Sequence, residues 1–339
     1  MMGFAKFGND LYTGERSIDF VGRRKIWYGI ALLLLLASIL IPIARGGFVL
    51  GIEFRGGSQF QVDNIAGVSD DPIAAQDLAT DTVNATVEDA SPRVTVVGGD
   101  GIRVQTSTLS PAEANEVRDA LIEAYDVPAA EVNVSTIGPS WGADITESAI
   151  RALVVFLVLA AIVMALYFRT WKMSVAAIVS LVHDLVITAG VYGILGIEVT
   201  PSAVIGILTI LGYSLYDTVV VFDKIRENTD EVGPDSKRTF PEAVNLAVNQ
   251  TLVRSINTSV VAALPVGAIL FIGANALGAS TLLDIALSLF IGILVATYST
   301  IFIAAPLYSQ MRENEIPRSQ KNPKSDAIDR TPVRSGSVR

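Results

Sequence analysis

Long apolar stretches alternate with polar segments along the chain, and six of these stretches are long enough to cross a membrane. A helix that spans the roughly 30 Å hydrocarbon layer needs about 20 predominantly apolar residues, and helix formation satisfies every backbone amide where water is absent. The pattern therefore predicts six transmembrane helices. They are predicted at residues 26–44, 149–168, 173–195, 201–221, 253–274 and 282–307.

The apolar stretches divide the chain into five parts. The first stretch is too long for the apolar core of a cleavable signal peptide, and Arg45, Gly46 and Gly47 after it lack a small-residue cleavage site. We therefore expect it to remain in the chain as a membrane helix. The predicted parts are an N-terminal segment at 1–25, a first transmembrane helix at 26–45, a polar domain at 46–147, helices two to six at 148–308 with a loop at about 223–250, and a tail at 309–339.

Basic residues are distributed unevenly around the apolar stretches. Lysine and arginine near the ends of membrane helices tend to remain in the cytoplasm. Most of the 25 basic residues lie in segments that would then be cytoplasmic, whereas 46–147 holds half of the 34 acidic residues. The pattern predicts both termini in the cytoplasm and an acidic domain outside. The mixed charges of 223–250 predict a solvated helix and turn, and the polar, basic composition of 309–339 predicts a disordered tail in contact with anionic lipid or a partner.

The hydrophobic period within the outer domain changes between two and about 3.6, which distinguishes strands from helices. Strands are predicted at 58–65, 93–97, 102–108 and 131–137, and helices at 71–90 and 111–125. Asp71 and Ser110 each precede a proline and are typical helix starts, and 98–101 has the composition of a hairpin turn. The order β-α-β-β-α-β predicts a ferredoxin-like α+β domain. The predicted fold class is thus membrane α-helical, with six transmembrane helices and one extracytoplasmic α+β domain.

Composition excludes several functions. The chain has no cysteine and one histidine, which excludes a cysteine-based zinc or iron–sulfur site and argues against a histidine-built metal site. The net charge of −9 argues against a general nucleic-acid binder. Neither a catalytic site nor a bound cofactor or metal is expected.

Few ionisable residues lie inside the predicted helices, and each is costly at membrane depth unless it faces a partner or a water path. At about 1.5 Å per residue, His183 and Asp184 lie roughly 16 Å from the inner surface, and Asp217 lies about 13 Å from it. Burial disfavours the charge of a carboxyl group and a nearby cation favours it. Asp217 near Arg254 is therefore a candidate for binding and releasing protons. The alternative is a permanent ion pair between them that only joins two helices.

The other ionisable residues also have two interpretations each. His183 with Asp184 either relays protons or hydrogen-bonds a neighbouring helix. Arg254, which begins the fifth helix together with Asn257, either pairs with Asp217 or extends to lipid phosphate. Asp284 is either an interfacial residue or part of a proton path.

Several motifs resemble the SecD/SecF family of Sec translocase accessory proteins. Residues 51–57, GIEFRGG, resemble the family's Gly-Ile-Asp-Phe-x-Gly-Gly motif through Gly51, Gly56 and Gly57, although Glu53 stands where aspartate is usual. Further segments are similar to the SecF branch of the family, with Tyr216 in place of the asparagine common before the intramembrane aspartate. These segments are 9–15, 20–25, 182–184, 212–228, 254–259 and 292–306.

The resemblance implies a role in protein export across the bacterial plasma membrane. A SecD partner would supply the other half of a twelve-helix assembly of the resistance–nodulation–division superfamily, next to the SecYEG channel. That assembly would hold the translocating preprotein outside and use the proton-motive force after the SecA stage, with protons as the coupling ion. By motif, Asp217 is the proton-binding carboxylate and Arg254 its switchable partner, with His183, Asp184 and Asn257 as supporting polar groups.

Three other functions compete with this interpretation. A small-molecule exporter of the same superfamily normally carries two large outer domains and about twelve helices in one chain, twice what is predicted here. Tyr216-Asp217 resembles half of an intramembrane aspartyl protease site, but the glycine-x-glycine-aspartate of the other half is absent. A passive scaffold, whose charges only join helices, predicts that the chain with both Asp217→Asn and Arg254→Gln remains functional. Proton coupling instead predicts a severe defect from Asp217→Asn alone.

Overall fold

The computed structural model describes residues 2–97, 99–230, 232, 236, 238–273 and 280–313. The helices are α1 Met2–Thr13, α2 Arg24–Ala44, α3 Ile52–Arg55, α4 Pro72–Thr86, α5 Pro111–Tyr125, α6 Pro139–Phe168, α7 Trp171–Leu195, α8 Pro201–Thr229, α9 Phe240–Ala268, α10 Ser280–Ser299 and α11 Ala305–Arg312. The strands are β1 Gly57–Val62, β2 Arg93–Val97, β3 Gly101–Thr106 and β4 Val132–Ile137. A π-helical turn continues α9 at Ile269–Gly273, and a second one at Thr300–Ala304 joins α10 to α11.

Within the described residues, six helices are long and apolar enough to cross a membrane, judged by length and composition. They are Arg24–Ala44, Pro139–Phe168, Trp171–Leu195, Pro201–Thr229, Phe240–Ile272 and Thr281–Arg312. This confirms the predicted number of membrane helices.

The segment predicted at about 223–250 as a solvated helix and turn has helices at both ends, and one face of these helices is buried. Helix α8 continues to Thr229, and α9 begins at Phe240, where Thr239 and Glu242 form a reciprocal capping box. The side chains of Phe240 and Val244 are buried in a core that also contains Phe222 of α8. The segment looked solvated because its apolar positions are spaced along one face of each helix and do not form a continuous stretch.

Small residues allow the closest contacts between helices in the bundle. Gly206 of α8 lies against Ser288 of α10, and Gly190 of α7 lies against Ser38 of α2, so that a Cβ at either glycine would collide with the serine. Helices in lipid are held together by such close packing and by interhelical hydrogen bonds, because lipid is as apolar as the side chains. Helix α7 is the most buried of the six.

The α+β domain between α2 and α6 has the predicted order β-α-β-β-α-β. Its four strands form an antiparallel sheet in the order β2-β3-β1-β4, which is the ferredoxin-like arrangement. Phe60 and Val62 of β1 are fully buried with Val117 and Leu121 of α5. The predicted helix starts are confirmed, since Asp71 accepts a hydrogen bond from the Ala74 amide and Ser110 forms a capping box.

The structure describes most of the predicted N-terminal segment but only the beginning of the predicted C-terminal tail. The segment predicted at 1–25 contains helix α1, and two asparagines of α9 hold the chain that follows it: Asn245 Oδ1 accepts from the Phe20 amide and Asn249 Oδ1 from the Ile18 amide, both at 2.8 Å. Of the tail predicted at 309–339, residues up to 313 are described, with α11 ending at Arg312. The predicted disorder of the remainder, and Gly98 of the predicted hairpin turn, lie outside the described residues.

Candidate functional site

Helix α7 places His183 and Asp184 in the interior of the bundle. His183 is 4% exposed and Asp184 is 2% exposed. Asp184 accepts a hydrogen bond from the Ser214 hydroxyl of α8, with 2.6 Å between Oγ and Oδ2. The Nδ1 atom of His183 lies 3.4 Å from the other Asp184 oxygen, Oδ1, and its Nε2 atom is buried without a partner in the described part of the chain. This pair therefore joins α7 to α8 and keeps one imidazole nitrogen available.

Asp217 lies three residues after Ser214 on α8 and is 4% exposed. The Ser255 hydroxyl of α9 donates to its Oδ1 atom at 2.8 Å. Its second oxygen, Oδ2, is buried and accepts no hydrogen bond of good geometry among the described residues, although the Thr300 hydroxyl is close enough to influence the carboxyl group. A carboxylate in this position is incompletely compensated, because ionised carboxylates normally accept several hydrogen bonds or pair with a cation when buried.

Contacts between hydroxyl groups connect α8 and α9 to α10 and to the turn that follows it. The Thr218 and Thr300 hydroxyls lie 3.2 Å apart, and Ser259 accepts from Thr297 at 2.6 Å. Thr300 begins the π-helical turn, a local change of helix geometry that is frequent at functional sites. Three helices thus meet at hydroxyls beside Asp217.

The structure does not bring Arg254 and Asn257 into contact with Asp217. Both side chains are exposed on α9, and no ion pair joins Arg254 to Asp217 in the described ranges, although the arginine is close enough to influence the carboxylate through space. The buried face of α9 instead carries Ser255 and Ser259, which are spaced four residues apart. Arg254 lies about 100° around the helix from Ser255 and therefore faces outward. The structure therefore does not contain the Asp217–Arg254 ion pair that the alternative interpretation predicts.

Asp284 lies apart from these residues, at the end of the bundle next to the α+β domain. One of its oxygens, Oδ2, accepts from the Thr200 hydroxyl at 2.7 Å, and its backbone carbonyl accepts from the Tyr192 hydroxyl at 3.0 Å. These contacts fix the start of α10 to the loop between α7 and α8. They agree with the interfacial interpretation of Asp284.

The glycine motif at 51–57 connects the first membrane helix to the α+β domain. The Gly51 amide donates to the Val199 carbonyl at 3.0 Å, which places the motif on the α7–α8 loop. Gly57 has φ +149°, and a Cβ there would collide with the Thr106 carbonyl of the sheet. Gly56 has φ +77° and lies against Pro139, where α6 begins. The motif glycines are required at this junction because they adopt backbone conformations and close approaches that other residues disfavour.

Glu53 of the motif is partly buried at the same junction. One of its carboxylate oxygens is buried without a partner among the described residues. Burial raises the pKa of Glu53 above the usual value for glutamate, and the nearby Glu198 charge raises it further. A hydrogen bond from the backbone and the charge of Arg103 partly offset these effects. A longer acid than the usual aspartate thus lies close to a second carboxylate.

Sequence reasoning found the carboxylates but missed their hydroxyl partners. Ser214, Ser255 and Thr300 are ordinary residues in apolar stretches, and only the helical spacing of Ser255 and Ser259 distinguishes that face of α9. The partner of each carboxylate is 30 or more residues away in sequence. Within the described residues, no group of three or more His, Asp or Glu side chains is placed to hold a metal ion.

The fold and the site define a class of protein: a multi-pass membrane protein with buried carboxylates in a six-helix bundle and one α+β domain at its end. Comparisons with known proteins specify the family. The family described as protein export membrane protein SecD/SecF, C-terminal, matches residues 117–314. The chain is 43% identical to protein translocase subunit SecF of Streptomyces coelicolor, covering 93% of this chain and 82% of the relative, and 40% identical to the SecF of Mycobacterium tuberculosis, covering 92% and 71%.

A solved structure supports the same relationship. The crystal structure of SecDF from Thermus thermophilus, a translocon-associated membrane protein, aligns with a TM-score of 0.74 and 30% identity over 88% of this chain. The alignment covers 39% of that longer chain. The chain belongs to the SecD/SecF family. Its relatives are protein translocase subunits and not enzymes, which confirms the predicted family and the prediction that the chain is not an enzyme.

Proposed function

We propose that this chain assists SecYEG- and SecA-dependent export of preproteins across the bacterial plasma membrane, together with a SecD partner and driven by the proton-motive force. Family membership supports the translocase role. The observation that carries the proton coupling is Asp217, a buried carboxylate with one hydrogen bond and one unpaired oxygen. Protons are the coupling ion in this proposal, and no cofactor takes part.

The orientation follows from charge. The termini lie in the cytoplasm and the α+β domain lies outside, because basic residues concentrate at the terminal side of the bundle and acidic residues in the domain. The domain then meets the emerging preprotein, and the basic tail lies near anionic lipid of the inner leaflet.

A SecD partner is supported by polar groups on the surface of the bundle. Arg254 and Asn257 are exposed on α9, and Tyr216 is exposed on α8. An arginine at membrane depth requires a partner or a water path. Helices of SecD would cover this face and place an acidic side chain near Arg254.

The coupling step begins with a proton at Asp217. Protonation removes its charge, and the attraction to Ser255 and to Arg254 weakens, so that α8 and α9 separate more easily. Release of the proton restores the attraction. Each proton that crosses 100 mV supplies about 2.3 kcal/mol, so repeated passage can bias an equilibrium between two arrangements of the helices. His183 and Asp184 of α7 are the proposed supporting pair, because Asp184 binds Ser214, which lies about one helical turn before Asp217 on α8.

The test is export of a signal-bearing reporter into membrane vesicles that contain matched SecD, SecYEG and SecA, with and without an imposed proton gradient. Asp217→Asn is compared with the wild type and with Asp230→Asn, an exposed acid at the end of the same helix. We expect the gradient to stimulate late translocation in the wild type and in Asp230→Asn, and not in Asp217→Asn. Equal stimulation of all three, at equal assembly, would support the passive scaffold instead.

A further inference from the structure

The loop between α7 and α8, residues 196–200, contacts both the membrane helices and the α+β domain. Its Val199 amide donates to the Val49 carbonyl at 2.7 Å, and its Val199 carbonyl accepts from Gly51 at 3.0 Å, so the loop pairs with the chain that enters the glycine motif. Its Thr200 hydroxyl binds Asp284 of α10. The loop is therefore held at both sides by main-chain and side-chain hydrogen bonds.

One side chain of this loop reaches the sheet of the domain. Glu198 accepts a hydrogen bond from the Gln105 amide, with 2.6 Å between Nε2 and Oε1. Its Oε2 atom lies 3.7 Å from a guanidinium nitrogen of Arg103, and the two side chains are 16% and 12% exposed. Arg103 and Gln105 are alternate residues of β3 and point to the same face of the sheet. Glu198 thus joins a loop of the membrane bundle to a central strand.

Charge at this contact is unevenly balanced. Arg103 lies within electrostatic range of three acids, Glu198, Glu53 and Asp284. Its Nε atom is buried without a hydrogen-bond partner in the described residues. The arginine is therefore shared among carboxylates from three segments and is saturated by none, which allows its contacts to exchange when the segments move.

We propose that Glu198 is a positioning residue that couples the membrane helices to the α+β domain, with Arg103 and Gln105 of β3 as its partners. This inference rests on the proposed function. The loop joins α7, which carries Asp184, directly to α8, which carries Asp217. A shift of α8 against α7 displaces the loop, and Glu198 transmits the displacement to the sheet.

The test measures the distance between domain and bundle in the full chain, reconstituted in lipid nanodiscs. The chain has no cysteine, so spin labels can be attached at Ile73→Cys of α4 and Ile205→Cys of α8, which are 71% and 57% exposed. Double electron–electron resonance then reports the distance distribution. Glu198→Ala is compared with Glu131→Ala as a control. The control removes a similar contact, between the Glu131 carboxylate and the Asn64 side-chain amide, which lies entirely within the α+β domain.

We expect a narrow distribution in the labelled parent and in Glu131→Ala, and loss of that narrow distribution in Glu198→Ala. Glu198→Gln, which keeps an acceptor for Gln105 and removes the charge facing Arg103, should broaden it less. Should Glu198→Ala fail to purify as a monodisperse protein, Glu198→Gln and Gln105→Ala carry the same comparison. A narrow distribution in every Glu198 and Gln105 variant would overturn the proposal.

The export assay separates this inference from the proposed function. Loss of gradient stimulation in Glu198→Ala, with a broadened distribution, supports the coupling role. A broadened distribution with wild-type stimulation overturns it, because the contact would then be structural only. If Asp217→Asn exports like the wild type, the proposed function fails, whatever the distance measurement shows.

Discussion

Asp184 and Asp217 both carry buried carboxyl groups, but the two groups have different surroundings. Asp184 has Ser214 on one oxygen and His183 near the other. Asp217 accepts a hydrogen bond from Ser255 on one oxygen, and its other oxygen accepts none within the described chain, although the Thr300 hydroxyl lies nearby. An interhelical hydrogen bond in a membrane contributes about 0.6 kcal/mol on average, whereas burying an unpaired charge costs several kcal/mol. In the proposed function, a proton or a cation from a partner completes the site at Asp217.

Glu53 gives a pH prediction at the residue scale. Its pKa in the folded chain is raised by burial and by Glu198, so the folded state binds this proton more tightly than the unfolded state. The resulting stabilisation is complete below the unfolded pKa of about 4.3 and is lost as the pH rises through the folded pKa. Glu53→Gln stays neutral, and we expect it to unfold at a higher temperature than the wild type near neutral pH.

The measurement is thermal unfolding in detergent from about pH 4 to about pH 7, where glutamate changes its charge. The advantage of Glu53→Gln over the wild type should grow with pH across this range. The exposed Glu88→Gln is the control, and it should follow the wild type at each pH. A constant difference between Glu53→Gln and the wild type would show that the charge of Glu53 is not the cause.

Helices and strands were predictable wherever one hydrophobic period dominated. The six membrane helices and the β-α-β-β-α-β order follow from such patterns, and Asp71 and Ser110 mark helix starts through their capping chemistry. The hydrophobic period did not predict the start of α9, because its first turns bury Phe240 and Val244 through a stripe of apolar residues within a polar segment, although Thr239 and Glu242 carry a capping signature there. The exposed position of Arg254 depends on the rotation of α9, which its packing against α8 determines.

The contact between α8 and α10 gives a prediction at the scale of elements. Gly206→Ala places a methyl group against the Ser288 side chain, whereas Gly212 on the same helix faces open space. Overpacking of this kind costs about 1–3 kcal/mol, while alanine at an open helical site is favourable by up to about 1 kcal/mol. We expect Gly206→Ala to lower the thermal unfolding temperature and Gly212→Ala to leave it equal or slightly higher. Similar behaviour of the two variants would mean that α8 and α10 are not this close.

In the whole molecule, the membrane helices and the α+β domain meet at a junction that no single segment of the sequence predicts. The glycine motif was visible in the sequence, but its contacts with Val199, Thr106 and Pro139 join segments that are far apart in the chain. For the same reason, Glu198 carried no signal in the sequence. The junction was thus out of reach because it depends on how the domain is seated on the bundle.

The proposed orientation is testable because the chain has no native cysteine. Single cysteines replace Ile73 in the α+β domain and Glu15 after α1, both exposed positions. In intact cells without an outer membrane barrier, a membrane-impermeant maleimide should label Ile73→Cys, and it should label Glu15→Cys only after the membrane is permeabilised. The reverse pattern would invert the orientation and remove the domain from the side where preproteins emerge.

Infrared difference spectroscopy can show whether the Asp217 carboxyl group gains and loses a proton. Spectra of the chain with its SecD partner in lipid, recorded between acidic and neutral pH, contain the carbonyl band of each carboxyl group that gains a proton. We expect a band in the wild type and in Asp230→Asn that is absent from Asp217→Asn. Identical spectra for the three proteins would exclude proton coupling through Asp217, because its carboxyl group would then keep one protonation state throughout.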